Sequence, residues 1–177
     1  MMIKQRIAVS ALSLSAVAFA AMVGHEAFVG RAMQPVPGDK WTYGIGSTTR
    51  PDGSPVQPGD TITLPAAMRL SVAQIGGKER TLRRCFGSAT LYQHEWDALV
   101  DLSYNVGAGA VCRSSLPSKA QAGQYRAMCD TTLDFKRVQR RDCSLPENQR
   151  FCGGVWTRRQ QMHCVCTTGD YEKCLPH

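Results

Sequence analysis

The sequence predicts an α+β fold, mainly helical, with a small antiparallel β-hairpin lobe ahead of the helices. A short strand is predicted from Trp41 to Ile45, followed by the turn sequence Arg50-Pro51-Asp52-Gly53-Ser54, in which Asp-Gly is a strong hairpin signal. The helical patterns outweigh the strands and come after the hairpin, a segregation that is typical of α+β proteins. At 177 residues, one compact domain with a sizeable core is expected.

A helix is expected directly after the hairpin. Residues 56–61 should form the return strand or a loop, and Thr63 then precedes Leu64-Pro65 as a helix N-cap with proline in the first turn. The helix is predicted to weaken at Gly76-Gly77, because glycine is a poor helix former, with a resumption toward Leu82 left open.

Apolar periodicity predicts the later helices. Tyr92, Trp96 and Leu99 recur at helical spacing, which predicts a helix from Thr90 with Trp96 in the core. This helix is expected to end at Asn105-Val106-Gly107. Further helices are predicted at about 125–135 and 155–166.

Charge limits the class of partner. The chain carries 21 Lys and Arg against 14 Asp and Glu, a formal net charge of +7, which suits a polyanionic partner. Zinc-finger spacing, an aromatic RNA-binding signature and a long basic helix are all missing from the sequence, so no nucleic-acid partner is expected. A cell wall or an anionic membrane fits the charge better.

The eight cysteines indicate disulfides in an oxidising compartment, because their count is even and the N-terminal segment suggests export. His163-Cys164-Val165-Cys166 approaches metal-ligand spacing, but no matching second pair accompanies it, so neither a metal nor a cofactor is expected. Cys143 with Cys152 is the favoured bridge because it closes a short polar loop. Cys85 with Cys112 is a weaker second pair, and the remaining pairings stay open.

The N-terminal segment has the features of an export signal. Lys4 and Arg6 form a small positive region, and residues 7–24 contain no charge over a length that can just span a bilayer. Its Ala and Ser content makes residence in lipid marginal. An ordinary signal peptide is the alternative, because Ala18-Phe19-Ala20 offers a small-x-small cleavage site.

Two carboxylates and a hydroxyl lie close together in the sequence just after this segment. Glu26 follows it directly, Asp39 lies in a Pro/Gly-rich loop, and Thr42 opens the predicted strand. Apolar neighbours favour the protonated form of Glu26, which a general acid needs. These groups suit acid/base hydrolysis of a glycosidic bond. The simpler alternatives are solvated loop carboxylates and a β-branched strand residue.

Three blocks of the chain together resemble phage-type lysozymes, the endolysins of glycoside hydrolase family 24. The blocks are Glu26 with Trp41-Thr42-Tyr43-Gly44-Ile45-Gly46-Ser47-Thr48, residues 93–109 with their Asn-Val-Gly corner, and residues 152–159. The resemblance covers roughly residues 23–166. It implies a lysozyme-like fold and hydrolysis of the β-1,4 bond between N-acetylmuramic acid and N-acetylglucosamine in peptidoglycan.

The resemblance also implies the role of each candidate residue. Glu26 would protonate the leaving oxygen, and Arg158, or alternatively Arg159, would orient it. Thr42 would hold the attacking water, whereas Asn105 would be structural. The family's second carboxylate has no direct counterpart in this chain.

Counting from Glu26 and Thr42 places the family's second carboxylate at Pro35 or Val36, which have no acid/base chemistry. Asp39 is therefore the expected substitute in a rearranged loop. Less favoured substitutes are His25, Asp52 and Asp60. If Asp39 were only a turn residue, Glu26 alone could act as in a lytic transglycosylase. A disulfide-stabilised wall-binding protein or lysozyme inhibitor is the non-enzymatic alternative.

In domain terms, the resemblance implies a signal-anchor segment at 1–24 and a lysozyme-like catalytic domain at 25–177. In some phage lysozymes such a segment is inserted into the inner membrane and later leaves it uncleaved, to pack against the soluble domain. In this chain the corresponding segment would be residues 7–24. We therefore expect an exported monomer that is tethered to the inner membrane, becomes periplasmic and lyses the host cell. Residues 1–24 contain no Cys, so release would depend on membrane potential and hydrophobicity.

Overall fold

The computed structural model describes residues 5–25, 28–34 and 38–175, with only the backbone of His25. The fold is mainly helical with small antiparallel sheets, as predicted. Its helices and strands are β1 (Ile7–Ala8), α1 (Ala16–His25), β2 (Val29–Met33), β3 (Thr42–Gly44), α2 (Leu64–Phe86), β4 (Thr90–Leu91), α3 (Gln93–Val106), α4 (Ala108–Arg113), α5 (Leu116–Gln121), α6 (Tyr125–Thr131), β5 (Arg137–Val138), β6 (Arg141–Asp142), α7 (Gln149–Thr168) and α8 (Tyr171–Cys174).

The chain forms two compact units. The smaller unit is Phe19–Gly77, and the larger unit contains Lys78–His177 together with the residues up to Ala18. Each is described by itself below.

In the smaller unit, β3 pairs with β2 in an antiparallel sheet, with Met33 opposite Thr42 and Val29 opposite Gly44. The predicted strand at 41–45 is confirmed in its central part, but its partner comes from before it in the chain. Residues 56–61 do not form the return strand, because Pro58 has no amide hydrogen and Gly59 turns the chain at φ +86°.

The predicted turn at residues 50–54 is confirmed. The amide of Arg50 donates to the Ser54 carbonyl at 2.8 Å, and Gly53 has φ +86°, a conformation that favours glycine. The smaller unit has a small core, in which Trp41 and Ile62 pack against four buried residues. These are Ala32, Tyr43, Val56 and Leu70.

Helix α2 is continuous from Leu64 to Phe86, so the prediction that Gly76-Gly77 weakens it is wrong. Each glycine costs the helix about 1 kcal/mol relative to alanine. Burial of Ile75, Leu82 and Phe86 outweighs this cost, because full burial of such a side chain contributes about 2 kcal/mol. The boundary between the two units falls directly after the glycine pair.

In the larger unit, the long buried helix is α3. It begins at Gln93 rather than at Thr90, because Thr90 and Leu91 form β4 and pair with β1. Trp96 is fully buried, as predicted, and Gly107 ends the helix at φ +86°, also as predicted.

The later helices agree with the predictions in place but not in length. Helix α6 ends at Thr131, and a 3-10 turn over Thr132–Asp134 completes the predicted helix at 125–135. Helix α7 extends from Gln149 to Thr168, beyond both ends of the predicted 155–166, with a non-helical residue at Cys152. It packs along α3.

All eight cysteines form disulfides. The predicted pairs Cys143–Cys152 and Cys85–Cys112 are both confirmed. The two bridges that the sequence left open join Cys129 to Cys166 and Cys164 to Cys174.

The uncharged N-terminal stretch is divided among several short elements. It contains β1, a 3-10 turn over Val9–Ala11 and the ten-residue helix α1. Val9 and Leu12 are buried in the larger unit. Among the described residues, no helix combines the length and apolar character that crossing a bilayer requires.

Candidate active site

The predicted general acid, Glu26, lies outside the described residues, in the connection between the end of α1 at His25 and the start of β2 at Val29. The same is true of Pro35 and Val36. The surroundings of Asp39 and Thr42 in the smaller unit and those of Arg158 in the larger unit are therefore described separately.

Asp39 and Thr42 lie three residues apart on one short segment that leads into β3. Gly38 turns this segment at φ +88°, and the Asp39 carbonyl accepts a hydrogen bond from Gln34 Nε2 at 2.6 Å, while the residue itself is exposed. The Thr42 hydroxyl donates to the Lys40 carbonyl at 3.2 Å. A hydroxyl that donates in this way still has lone pairs with which to accept a hydrogen bond from water.

A cavity of about 310 Å³ lies beside this segment. Its lining residues include Trp41, Lys40, Thr48 and Gln57. A lining that combines an aromatic residue with polar residues suits a ligand that has both apolar and hydrogen-bonding surfaces, such as a sugar ring.

Asp52 and Asp60, the less favoured substitutes for the second carboxylate, bind neighbouring groups of the smaller unit. Asp52 Oδ1 accepts from the Ser54 amide at 2.9 Å and from its hydroxyl at 2.7 Å. Asp60 forms an ion pair with Arg50, at 2.7 Å from Nε. Hydrogen bonds from Ser54 lower the pKa of Asp52, and those from Arg50 lower the pKa of Asp60. These contacts account for both carboxylates as structural groups.

Arg158 is a buried residue of α7 that forms an ion pair with Asp101 of α3. Its Nη2 donates to Asp101 Oδ1 at 2.7 Å, and its Nε donates to Oδ2 at 3.3 Å. Arg158 therefore does not belong to a solvated helix face. Because the carboxylate holds two nitrogens of the fork, the guanidinium plane is fixed in orientation.

Arg159 is also buried, at 1 % exposure. Its Nε donates to the Phe135 carbonyl at 3.0 Å, and its Nη2 donates to Asn105 Oδ1 at 2.9 Å. Burial lowers the pKa of Arg159 to about 10. The contact with Asn105 ties α7 to the last turn of α3.

Sequence reasoning missed Asp101. A signal was present, because Asp97 and Asp101 are four residues apart on a helix whose other buried residues are mostly apolar, and buried carboxylates require partners. The sequence could not show which of the chain's many arginines supplies the partner.

Comparison with known proteins supports the assignment of the chain to a family. The family model for phage lysozyme matches residues 23–161. The chain is 29 % identical to the endolysin of Salmonella phage P22 over 110 residues, which are 62 % of this chain and 75 % of that protein. It is 25 % identical over 141 residues, 73 % of this chain and 68 % of the relative, to a protein of Haemophilus phage HP1 (strain HP1c1) described as a SAR-endolysin.

The fold agrees with this similarity. The structure of an endolysin from Escherichia coli O157:H7 phage FAHEc1 superposes with a TM-score of 0.75 at 22 % identity, covering 91 % of this chain and 97 % of that one. The family match spans most of the chain and argues against the non-enzymatic binding-protein alternative. The chain therefore belongs to the phage lysozyme family, and it is a glycoside hydrolase of the muramidase type that degrades the bacterial cell wall.

Proposed function

We propose that this chain is an endolysin that hydrolyses the β-1,4 bond between N-acetylmuramic acid and N-acetylglucosamine in peptidoglycan and thereby lyses the host cell. The observation that carries the proposal is the segment Asp39–Thr42, in which a carboxylate and a hydroxyl stand three residues apart inside the range matched by the family model. The adjoining cavity with Trp41 and Lys40 offers a surface suited to an amino sugar.

In the proposed mechanism, Glu26 donates its proton to the bridging oxygen as the glycosidic bond breaks. Asp39 accepts a proton from a water molecule, whose oxygen bonds to the sugar carbon that loses the leaving group. Thr42 holds this water through its hydroxyl. Arg158, fixed by Asp101, orients the Glu26 carboxyl group.

Purified peptidoglycan provides the test. Glu26→Gln should reduce the rate by several orders of magnitude, since it removes the proton donor, and Asp39→Asn should reduce it by about a hundredfold or more. Glu147→Gln, the same charge change at an exposed position, is the control and should retain full activity. Normal clearing of walls by Glu26→Gln would contradict the proposal.

A second mechanism, that of a lytic transglycosylase, is favoured by one observation: Pro35 and Val36 occupy the positions of the family's second carboxylate. In that reaction a hydroxyl of the sugar itself attacks, so Glu26 alone would suffice. Mass spectrometry of the products separates the two, because hydrolysis gives a reducing end and transglycosylation a 1,6-anhydro end. Near-full activity of Asp39→Asn together with anhydro products would establish the second mechanism.

We further propose that residues 1–24 are a signal-anchor and residues 25–177 the catalytic domain, so that the enzyme is first tethered to the inner membrane and then periplasmic. The similarity to a SAR-endolysin supports this, as does the uncharged stretch of residues 7–24. The mass of the periplasmic protein tests the proposal. Full length with all cysteines oxidised is expected, whereas loss of the first 20 residues would indicate an ordinary cleaved signal peptide.

A further inference from the structure

The β5–β6 hairpin of the larger unit presents a dense group of arginines. Arg137, Arg140 and Arg141 lie within a stretch of five residues and are exposed, as is Arg150 at the start of α7. In the part of the chain that the structure describes, no carboxylate forms an ion pair with any of these four arginines. The hairpin therefore offers cations that lack an internal counter-charge.

The turn at the tip of the hairpin holds Arg140 in a conformation that suits glycine. Gln139 has φ +47° and Arg140 has φ +68°, and within the described ranges no other non-glycine residue has a positive φ. A two-residue turn of this kind favours Asn-Gly, because a Cβ is disfavoured in the left-handed region. A long charged side chain at a strained position indicates a role for that side chain beyond the turn itself.

The base of the hairpin is fixed to the start of α7. Cys143, which follows β6, is bonded to Cys152 of α7, and Gln149 Nε2 donates to the Cys143 carbonyl at 3.0 Å. The hairpin's own acidic residue, Asp142, is paired with Lys136 at 3.1 Å. Because this base is ordered before any partner arrives, binding at the hairpin loses little conformational entropy.

Two exposed apolar side chains lie beside the arginines. Phe151 is 46 % exposed and Leu145 is 43 % exposed. The guanidinium carbon of Arg141 lies 4.5 Å from the ring centre of Phe151, and the Leu145 amide donates to the carbonyl of Asp142, the last residue of β6, at 3.3 Å. Cationic and apolar groups thus share one surface, which we call the arginine surface. Its members are Arg137, Arg140, Arg141, Leu145, Arg150 and Phe151.

The composition of the arginine surface favours a lipid bilayer over the cell wall as its partner. A guanidinium binds two oxygens of one phosphate or carboxylate, so the arginines alone suit lipid head groups and wall peptides equally. Phe151 and Leu145 gain only from a partner with an apolar layer. A bilayer has such a layer directly below its phosphates, whereas a polar glycan with its peptides does not.

We propose that the arginine surface docks the exported chain on a bilayer that contains anionic phospholipid. The arginines bind the lipid phosphates, and Phe151 and Leu145 enter the boundary between the head groups and the acyl chains. Since residues 7–24 take no part in this contact, it holds the enzyme at the membrane after that segment has left the lipid. The inference goes beyond the proposed hydrolysis and does not depend on Glu26 or Asp39.

Sedimentation of the full-length protein with vesicles tests the docking. The native protein should bind vesicles of phosphatidylglycerol and phosphatidylcholine more tightly than vesicles of phosphatidylcholine alone. Arg137→Gln and Arg140→Gln should each weaken binding to the anionic vesicles about fivefold, because one arginine at such a surface contributes about that factor. Both variants should bind neutral vesicles as the native chain does, because residues 7–24 are unaltered.

Arg80→Gln and Arg84→Gln are the matched controls. They remove the same charge from exposed positions of α2 in the larger unit. Since these positions lie outside the arginine surface, both controls should bind anionic vesicles within about twofold of the native affinity. Equal weakening by the hairpin and α2 variants would show attraction by net charge alone and overturn the proposal, as would native affinity in both hairpin variants.

The strained turn supplies a second pair of variants. Arg140→Gly and Gln139→Gly each relieve one left-handed residue, so both should raise the urea midpoint of unfolding. Arg140→Gly alone removes a cation, and it alone should weaken binding to anionic vesicles about fivefold. Native vesicle binding by both variants would mean that Arg140 only turns the chain, and would contradict the proposal.

The apolar part of the arginine surface is tested at high salt, which screens the charges. Leu145→Gln leaves the net charge unchanged and should weaken the binding to anionic vesicles that remains there. Equal binding of Leu145→Gln and the native chain at high salt would remove the argument for an apolar layer in the partner.

Lipid-free peptidoglycan separates the bilayer from the wall. The double variant Arg137→Gln/Arg140→Gln should clear purified sacculi with native kcat and KM, and Glu26→Gln should bind vesicles as the native chain does. Loss of docking and loss of hydrolysis are therefore separate results. A raised KM of the double variant on sacculi, together with native vesicle binding, would assign the arginine surface to the wall and sink docking on lipid.

Discussion

Arg158 of α7 and Asp101 of α3 form a buried ion pair, with Nη2 2.7 Å from Oδ1 and both side chains almost fully enclosed. Asp101→Asn should lower the free energy of unfolding by about 3 kcal/mol, because it removes the counter-charge of a buried guanidinium. Urea unfolding measures this. Since the same change frees the orientation of Arg158, kcat should fall as well.

The exposed pair of Arg126 and Asp130, 3.1 Å apart, is the control for this prediction. Its side chains are 73 % and 49 % exposed, so Arg126→Gln should cost at most about 1 kcal/mol and leave kcat unchanged. Equal costs in the two variants would show that the Arg158–Asp101 pair is no more important than a surface contact.

Gly44 of β3 is packed closely against α2 within the smaller unit. It has φ +64°, and a Cβ there would lie 3.1 Å from Ala67 Cβ, whereas a Cβ at Gly53, with φ +86°, would meet nothing within 4 Å. Gly53→Ala should cost about 1 kcal/mol from backbone strain alone. Gly44→Ala should cost about 1–3 kcal/mol more, through overpacking. Equal shifts in the urea midpoint would refute the close packing of β3.

Asp142, at the end of the β5–β6 hairpin, should contribute to stability in a pH-dependent way. Hydrogen bonds from the side chain and backbone of Ser144, with help from Lys136, lower the pKa of Asp142 to about 2. Because the folded pKa is below the unfolded one, the contribution is complete above about pH 4 and is lost as the pH falls through about 2.

Asp142→Asn should therefore be less stable than the native protein at neutral pH and equally stable below the folded pKa. Ser144→Ala removes the leading cause of the shift, so it should move the acid loss to higher pH. Urea unfolding at a series of pH values measures both effects. A native-minus-variant difference for Asp142→Asn that stays constant down to about pH 2 would contradict the assignment.

The disulfide Cys164–Cys174 ties α8 to α7, and α8 begins with Tyr171, which donates to Asp97. Burial and the neighbouring Asp97 carboxylate raise the pKa of Tyr171, so its hydroxyl remains a donor at neutral pH. The Ser15 amide donates to Asp97 Oδ1 at 2.9 Å. Replacing both cysteines by serine should accelerate exchange of the Ser15 amide several-fold, because Asp97 loses a tethered donor.

Tyr171→Phe should produce the same effect with the disulfide intact. Serine replacements at Cys143 and Cys152, which close a different loop, provide the control and should leave Ser15 exchange near its native rate. Native Ser15 exchange in both the Tyr171→Phe protein and the protein without Cys164–Cys174 would show that α8 does not support the contact between Ser15 and Asp97.

Local signals predicted much of the larger unit. Trp96 is in the core because its apolar periodicity is unambiguous, and Gly107 ends α3 because its positive φ suits a helix end. Cys143 and Cys152 pair because few residues separate them. Each of these features is determined by residues that are close in the sequence, so the sequence alone predicts it.

Features that depend on distant residues were missed. The pairing of Ile7 with Leu91 joins two-residue strands that are too short to show periodicity, so Thr90 was assigned to a helix. Tertiary burial overrode the propensity of Gly76-Gly77. Among the candidate site residues, Asp39 and Thr42 are close in the sequence itself. The ion pair of Arg158 with Asp101 depends instead on how α3 and α7 pack, which the sequence did not show.

The four bridges all fall between Cys85 and Cys174, and the smaller unit has no cysteine to cross-link. A newly made chain in a reducing compartment consequently holds eight thiols, all of them in one part of the molecule. The smaller unit folds without forming any disulfide. A thiol reagent that blocks the cysteines would therefore act on the larger unit alone. The enzyme is complete only after an oxidising environment has formed the four disulfides.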